Sequence, residues 1–196
     1  MPTSLGSDFF QRDFLEVARK LIGTTLIWDG CGGTVIETEA YGIEDDPACH
    51  TSFRPASRRF FEENPAGTCY VYLNYGIHWL LNVLVKGTTG SDGIILLRAL
   101  HPTIGLPTMR ARRGNRRDRE LCSGPGKLGT ALGLSGKDHG ASLVCSERRC
   151  FLATEPSPPR VATDIRVGIS RATELPWRFL AADHPGVSVP HGKVSS

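Results

Sequence analysis

Thr34-Val-Ile-Glu-Thr-Glu-Ala-Tyr41 is the stretch on which the reading of this chain turns. β-branched Thr34, Val35, Ile36 and Thr38 favour a pleated strand, and strand side chains alternate with period two. Val35, Glu37, Glu39 and Tyr41 are therefore expected on one face, and Thr34, Ile36, Thr38 and Ala40 on the other. A face with two carboxylates and a tyrosine either meets water or walls a pocket. On this stretch alone both readings stand.

Upstream, Phe10, Phe14, Val17 and Leu21 recur at helical spacing behind Ser7 or Asp8 as a cap, and Gly23 stops the helix. Residues 24–28 read as a strand, and 29–33 as the turn of a hairpin into the 34–41 strand. Downstream, residues 42–67 form a long irregular connection, of the kind more often functional than neutral. Asp46-Pro47 is expected to start a short helix carrying His50, and Ser57 to cap a second over 58–63. Three strand-like runs follow. In residues 68–75, Tyr70, Tyr72 and Asn74 share one face and Cys69, Val71, Leu73 and Tyr75 the other. Gly76 permits a bend, residues 77–86 hold Asn82 in an apolar run, and residues 93–100 place Ile94, Leu96 and Arg98 on one face. A buried asparagine or arginine there must find partners. Residues 125–132 read as a helix behind Ser123 and Gly124, with Lys127 at its start, an arrangement suited to anions. It lacks the phosphate-loop pattern, which argues against a nucleotide triphosphatase. Residues 144–152 and 165–169 are further candidate strands, 156–159 a proline-rich turn, and the segment from His184 onward a loosely held tail.

The chain has 196 residues, and its 22 glycines and 13 prolines point to many turns. That length fits one domain, residues 1–196, burying roughly 70% of its unfolded surface. There is no apolar run long enough to span a bilayer and no signal-peptide pattern, so a cytoplasmic location, nucleoid-associated in a prokaryote, is expected. The six cysteines show no CxxC or metal-finger spacing and are expected as free thiols. Residues 110–119 hold six arginines against one aspartate, a local charge of +5 that leaves −2 on the rest of a chain with net charge +3. Such concentration suits a polyanion, the alternative being a solvated arginine-rich loop.

Taken together, Glu37-Thr-Glu-Ala-Tyr41, Asp46 to His50, Gly67-Thr-Cys-Tyr-Val-Tyr-Leu-Asn-Tyr-Gly76, Asn82-Val83, Leu96-Leu-Arg-Ala-Leu-His-Pro102, Asp118-Arg-Glu-Leu-Cys-Ser-Gly-Pro-Gly-Lys-Leu128 and Arg166-Val-Gly168 resemble the alkyladenine (3-methyladenine) DNA glycosylase family. The resemblance runs in order through nearly the whole chain. It implies an α+β domain on a curved, mainly antiparallel sheet flanked by helices. It also implies a monomeric enzyme that excises alkylated or deaminated purines from double-stranded DNA without metal or redox cofactor.

The chemistry can be argued beside the resemblance. Cleaving an N-glycosidic bond passes through an oxocarbenium-like sugar, which needs a carboxylate to stabilise charge and activate water. Glu39 matches the family's catalytic glutamate, Glu37 is its decoy, and Arg98 matches the arginine that holds the water and a nearby phosphate. Tyr41, His50 and Tyr72 match the walls of the base pocket, with Asn82, Leu96 and Val167 completing it. In the family Asn82 obstructs the guanine 2-amino group and the Val167 amide reads the purine. Tyr75 matches the wedge that replaces the flipped nucleotide, flanked by Ile77 and His78, which depart from the bulky residues of other members. Arg112, Arg113, Arg116, Arg117 and Lys127 are assigned to the DNA backbone. With no pocket lysine to form a Schiff base, a monofunctional glycosylase is expected, and an imine at Pro2 has nothing else behind it. Two alternatives are a non-catalytic nucleic-acid-binding module of the same fold and a metal-dependent hydrolase built on Glu37, Glu39, Asp46 and His50.

Overall fold

The computed structural model describes residues 3–88, 90–114, 116–144, 146–153 and 159–194, so Pro2, Cys145 and most of the 156–159 turn lie outside the described residues. The expected first helix is two pieces: a 3-10 turn at Ser7–Gln11 and helix α1 at Phe14–Leu21. The break comes at Asp13, whose carboxylate accepts the Leu15 and Glu16 amides (2.9 and 3.0 Å) and so caps α1 better than Ser7 or Asp8 could. Strands β1 (Thr25–Trp28) and β2 (Cys31–Gly42) form a hairpin. Its turn is only Asp29-Gly30, both at positive φ (45° and 80°). Gly32 and Gly33, expected in that turn, belong to β2. A Cβ on either would lie 2.1 Å from a carbonyl oxygen, of Leu26 and His101 respectively.

Next come α2 (Pro55–Glu63), β3 (Cys69–Asn74), β4 (His78–Val85), β5 (Gly93–Ile104), α3 (Leu106–Arg113), α4 (Asp118–Leu121), α5 (Pro125–Leu132), β6 (Arg149–Leu152), β7 (Val161–Asp164) and β8 (Arg178–Ala181). Ser57 lies inside α2 rather than capping it, because Pro55 already starts the helix. Residues 165–169, read as a strand from Ile165, Val167 and Ile169, are loop. The strand there is β7, and it is followed by β8, which the sequence reading did not find.

All strand pairings are antiparallel, in the order β3-β4-β5-β2-β1-β6, with β8 also on β2 and β7 on β8. β1 and β8 thus share one edge of β2, β1 along Cys31–Thr34 and β8 along Glu37–Glu39. The changeover falls at a pair of register shifts. Val35 faces Leu100 and Glu37 faces Ala99, so Ile36 is extra on β2; Thr38 then faces Leu97, so Arg98 is extra on β5. The bulge resets the alternation. Val35, expected beside Glu37, instead joins Ile36 and Ala40 in the main core with Val17, Leu21, Leu81, Ile95 and Leu97. Each Val, Leu or Ile side chain among them contributes about 1.5–3 kcal/mol on burial. The other face of the sheet carries a smaller cluster of Ile43, Cys49, Phe61, Tyr70, Leu84 and Ile94, bordered by Tyr41 and Tyr72. That face holds the polar residues.

Candidate active site

One rung of the sheet runs Tyr70–Asn82–Leu96–Glu39–Arg178, each directly opposite the next on adjacent strands. Directly paired residues point to the same face. The register therefore brings tyrosine, asparagine, leucine, glutamate and arginine from five strands onto one surface. One step away along the strands, Tyr72 and Tyr41 join them. A cavity of about 330 Å³ opens on this surface, lined by Tyr41, His50, Tyr72, Asn82, Leu96, Arg98 and Val167 among others. That volume is at the small end of ligand sites.

Glu39 does not itself line this cavity, and its side chain is 0% exposed. It sits directly behind three groups that do. Its Oε2 accepts the Tyr41 hydroxyl (2.8 Å) and Arg98 Nη1 (3.0 Å), and its Oε1 accepts the Val167 amide (2.6 Å). A carboxylate has about four lone-pair positions, so one is left. Burial opposes the Arg98 charge, but Glu39 and Glu37 more than offset it and raise its pKa. Burial, then the Glu39 charge beside it, raises Tyr41 well above its ordinary value, so its hydroxyl keeps its proton and donates. The Val167 amide, expected to read a purine, is here bound to Glu39. Glu37 is equally buried and bonds to Arg98 Nε (3.1 Å) and to Ser188.

The turn after β2 is held by Asp46, which does not begin a helix. Its carboxylate accepts the Gly42 and Ala48 amides and, through both oxygens, Arg166 (2.6 and 3.0 Å). Arg166 lies over the rings of Tyr41 (4.8 Å) and Trp177 (5.1 Å), so it supports Tyr41 from one face. The turn delivers His50 in a 3-10 segment, His50–Ser52, edge-to-face with Tyr72 at 4.4 Å between ring centres. His50 Nδ1 is 2.9 Å from the Tyr70 hydroxyl, which also meets Ser57 at 2.8 Å. Burial, then the charge of Arg54, lowers the His50 pKa to about 4. An uncharged imidazole does not repel a cationic ligand. NMR titration should find His50 unchanged between pH 8 and about 5.5, with a midpoint near 4. A free imidazole titrates near 6.5. As pH falls from that value towards 4, the unfolded chain takes up a proton the folded one refuses, so stability drops across that window. A midpoint near 6.5 would place the ring in water.

Cys49 lines the cavity, but burial raises its thiol pKa, so it is no ready nucleophile. With Glu37 and Glu39 tied to Arg98, and Asp46 to Arg166, the four residues of the metal reading do not converge. Among the described residues no group of three or more His, Cys, Asp or Glu is placed to hold a metal ion. No helix there is long and apolar enough to cross a membrane. The five described cysteines are free.

At the cavity mouth the β3–β4 hairpin turns through Tyr75 and Gly76, both at positive φ (49° and 69°). For a tyrosine that conformation costs on the order of 1–3 kcal/mol. It thrusts Tyr75 out at 86% exposure beside Ile77 at 72%, while His78 packs against Gly126 of α5. Lys127 Nζ is 3.3 Å from Ser123 Oγ, and Lys127 lies two residues from Pro125 on the cavity wall. The arginine segment is partly structural. Arg110 bonds Asp118, Arg112 the Ala131 carbonyl (3.0 Å), Arg113 the Leu121 carbonyl (3.2 Å) and Arg117 Glu120 (3.1 Å), tying α3, α4 and α5 together. Arg116 and Arg119 point to solvent.

Residues 8–185 match the family model described as methylpurine-DNA glycosylase. The chain belongs to the methylpurine-DNA glycosylase family. Among curated relatives, a protein of Rhodopseudomonas palustris named "Putative 3-methyladenine DNA glycosylase" is 43% identical over 182 residues, covering 93% of this chain and 86% of its own. Same-named proteins of Granulibacter bethesdensis and Nitrosospira multiformis are 43% and 42% identical, over 95% and 97% of this chain and 88% and 96% of theirs. Membership makes this an enzyme, a glycosylase of DNA base-excision repair. The resemblance drawn from the scattered blocks and the antiparallel α+β fold agree with it. Arg178 and Ser188, which reach Glu37, carried no signal in the sequence, and Arg166 stood only in a block of the resemblance, because the partner of each lies far away in the chain.

Proposed function

We propose that this glycosylase hydrolyses the N-glycosidic bond of methylated purines in duplex DNA, 3-methyladenine foremost, and that Glu39 activates the water. The observation that carries the reading is the Glu39 carboxylate, held by three cavity-lining groups at the end of an aromatic slot. A flipped purine entering between Tyr41 and the His50–Tyr72 pair stacks at roughly 1–3 kcal/mol per ring contact. Water takes the remaining lone-pair position on Glu39 as the Val167-Gly168 loop yields to the nucleotide. Its oxygen bonds to C1′, its proton passes to Glu39, and the C1′–N bond pair leaves with the base. A cationic 3-methyladenine departs neutral and needs no acid. 7-Methylguanine departs likewise if Asn82 tolerates its 2-amino group, whereas hypoxanthine and ethenoadenine need a hydrogen bond to leave. Arg98 steadies the carboxylate and the adjacent phosphate. Arg112, Arg113, Arg116, Arg117 and Lys127 supply positive charge to the backbone, with Arg116 exposed to solvent. The protein acts as a monomer, without a cofactor. The direct test is incubation, with chelator present, of duplexes each carrying one defined damaged purine, followed by alkaline cleavage of abasic sites. Strand breaks at 3-methyladenine are expected; their absence on every methylated purine would sink the reading.

Tyr75 fills the gap left by the flipped nucleotide. Flipping from a stack costs a few kcal/mol, so Tyr75→Ala should slow excision from duplex about 10–100-fold and from single strands less than about threefold. Equal losses on both substrates would remove Tyr75 from that role.

A further inference from the structure

We infer that Ser188 is a positioning residue for base excision, holding Glu37 and through it aiming Arg98 at Glu39. The inference rests on the excision reading above. Ser188 lies beyond residue 185, where the family match ends.

Glu37 is a fully buried carboxylate, and Ser188 supplies two of its hydrogen bonds. The Ser188 amide donates to Oε2 and its hydroxyl to Oε1 (2.7 Å). The same hydroxyl accepts Arg98 Nη2 at 3.1 Å. All three Arg98 nitrogens are thereby engaged: Nε on Glu37, Nη2 on Ser188 and Nη1 on Glu39. Two of those three anchors belong to the Glu37–Ser188 unit. The orientation of the guanidinium against Glu39 is therefore decided away from Glu39. The segment bearing Ser188, expected as a loose tail, is seated in turn. The Val189 carbonyl accepts buried Arg178 (2.7 Å), Val187 packs on the main core, and a Cβ on Gly186 would come within 3.1 Å of Ile36. Arg178 Nε also stands 3.6 Å from Glu37, so the two carboxylates face two guanidiniums. Removing the Ser188 hydroxyl leaves Arg98 Nη2 without its acceptor and Glu37 Oε1 short of a donor. Arg98 then turns towards Glu37 and leaves Glu39.

The test compares Ser188→Ala and Ser188→Thr with wild type. Misplacing a group by about 1 Å can reduce a rate about 100-fold. Ser188→Ala should therefore slow single-turnover release of 3-methyladenine by about 10–100-fold, while affinity for a duplex with an uncleavable abasic analogue changes less than about threefold. Ser188→Thr keeps the hydroxyl and should recover most of the rate. In a double-mutant cycle, Ser188→Ala should add little to Glu37→Gln. The Arg98 Nε–H resonance, assigned by its loss in Arg98→Lys, should shift in Ser188→Ala and hold in Ser188→Thr. Full activity with an unmoved resonance in Ser188→Ala, or additive effects in the cycle, would overturn the inference. If Ser188→Ala does not fold, Ser188→Cys takes its place, and a rate equal to wild type would overturn it equally. A wild type that releases no base would overturn the excision reading, and the resonance would then decide the coupling alone.

Discussion

Glu39→Gln should bind lesion-bearing duplex nearly as well as wild type and release base about 10²–10⁴-fold more slowly, the range for removing a general base. The amide keeps the shape of the side chain but offers only one oxygen to the three donors that converge on it from Tyr41, Arg98 and Val167. At least one donor then meets an NH₂ group in a buried setting, a loss of about 1–3 kcal/mol in stability. Anisotropy measures binding, and a single-turnover gel assay measures release. The two must separate. Retained release would make the Glu37–Arg98–Glu39 network a structural brace and place the reacting group elsewhere. Lost binding alongside lost release would mean the substitution had collapsed the cavity.

Asp46→Ala should lower stability by about 3–5 kcal/mol, because it strands a buried guanidinium. Both members of the Asp46–Arg166 pair are fully buried, and the carboxylate also accepts the Gly42 and Ala48 amides. With a urea dependence of about 1–3 kcal/mol per molar, the unfolding midpoint should fall by roughly 2 M. Asp46→Ala combined with Arg166→Met should be less damaged than Asp46→Ala alone, since no uncompensated charge remains. Excision should suffer in both variants, because Arg166 supports Tyr41 from one face. A midpoint within about 0.3 M of wild type would mean that water reaches the pair and solvates Arg166.

Much of the site could be read from alternation alone. Tyr70, Tyr72 and Asn74 on one face of β3, and Ile94, Leu96 and Arg98 on one face of β5, are where period two puts them, and all line the cavity. β2 was legible only in part. Glu37, Glu39 and Tyr41 do share a face, but Val35 does not, because β1 and β8 compete for the same edge and Ile36 bulges where one gives way to the other. No local pattern encodes that competition. Residues 165–169 have strand-like composition but no neighbouring strand to pair with, and the Val167 amide turns to Glu39 instead. β8 escaped notice because Arg178 reads as a surface residue, and only the distant Glu37, Asp164 and Val189 account for its burial. The arginine segment showed its charge plainly. That four of its guanidiniums are committed to Asp118, Glu120 and two helix carbonyls depends on how α3, α4 and α5 are stacked.

The bond between Glu37 and Ser188 joins residues 151 positions apart, one early in the chain and one near its end. At roughly 5–20 residues per second on the ribosome, about 8–30 s separate their synthesis. Throughout that interval the nascent polypeptide holds its acidic strand without the serine that completes it. Until Ser188 has been made, Glu37 lacks two of its hydrogen bonds, so the buried acidic pair is completed only long after the strand that carries it.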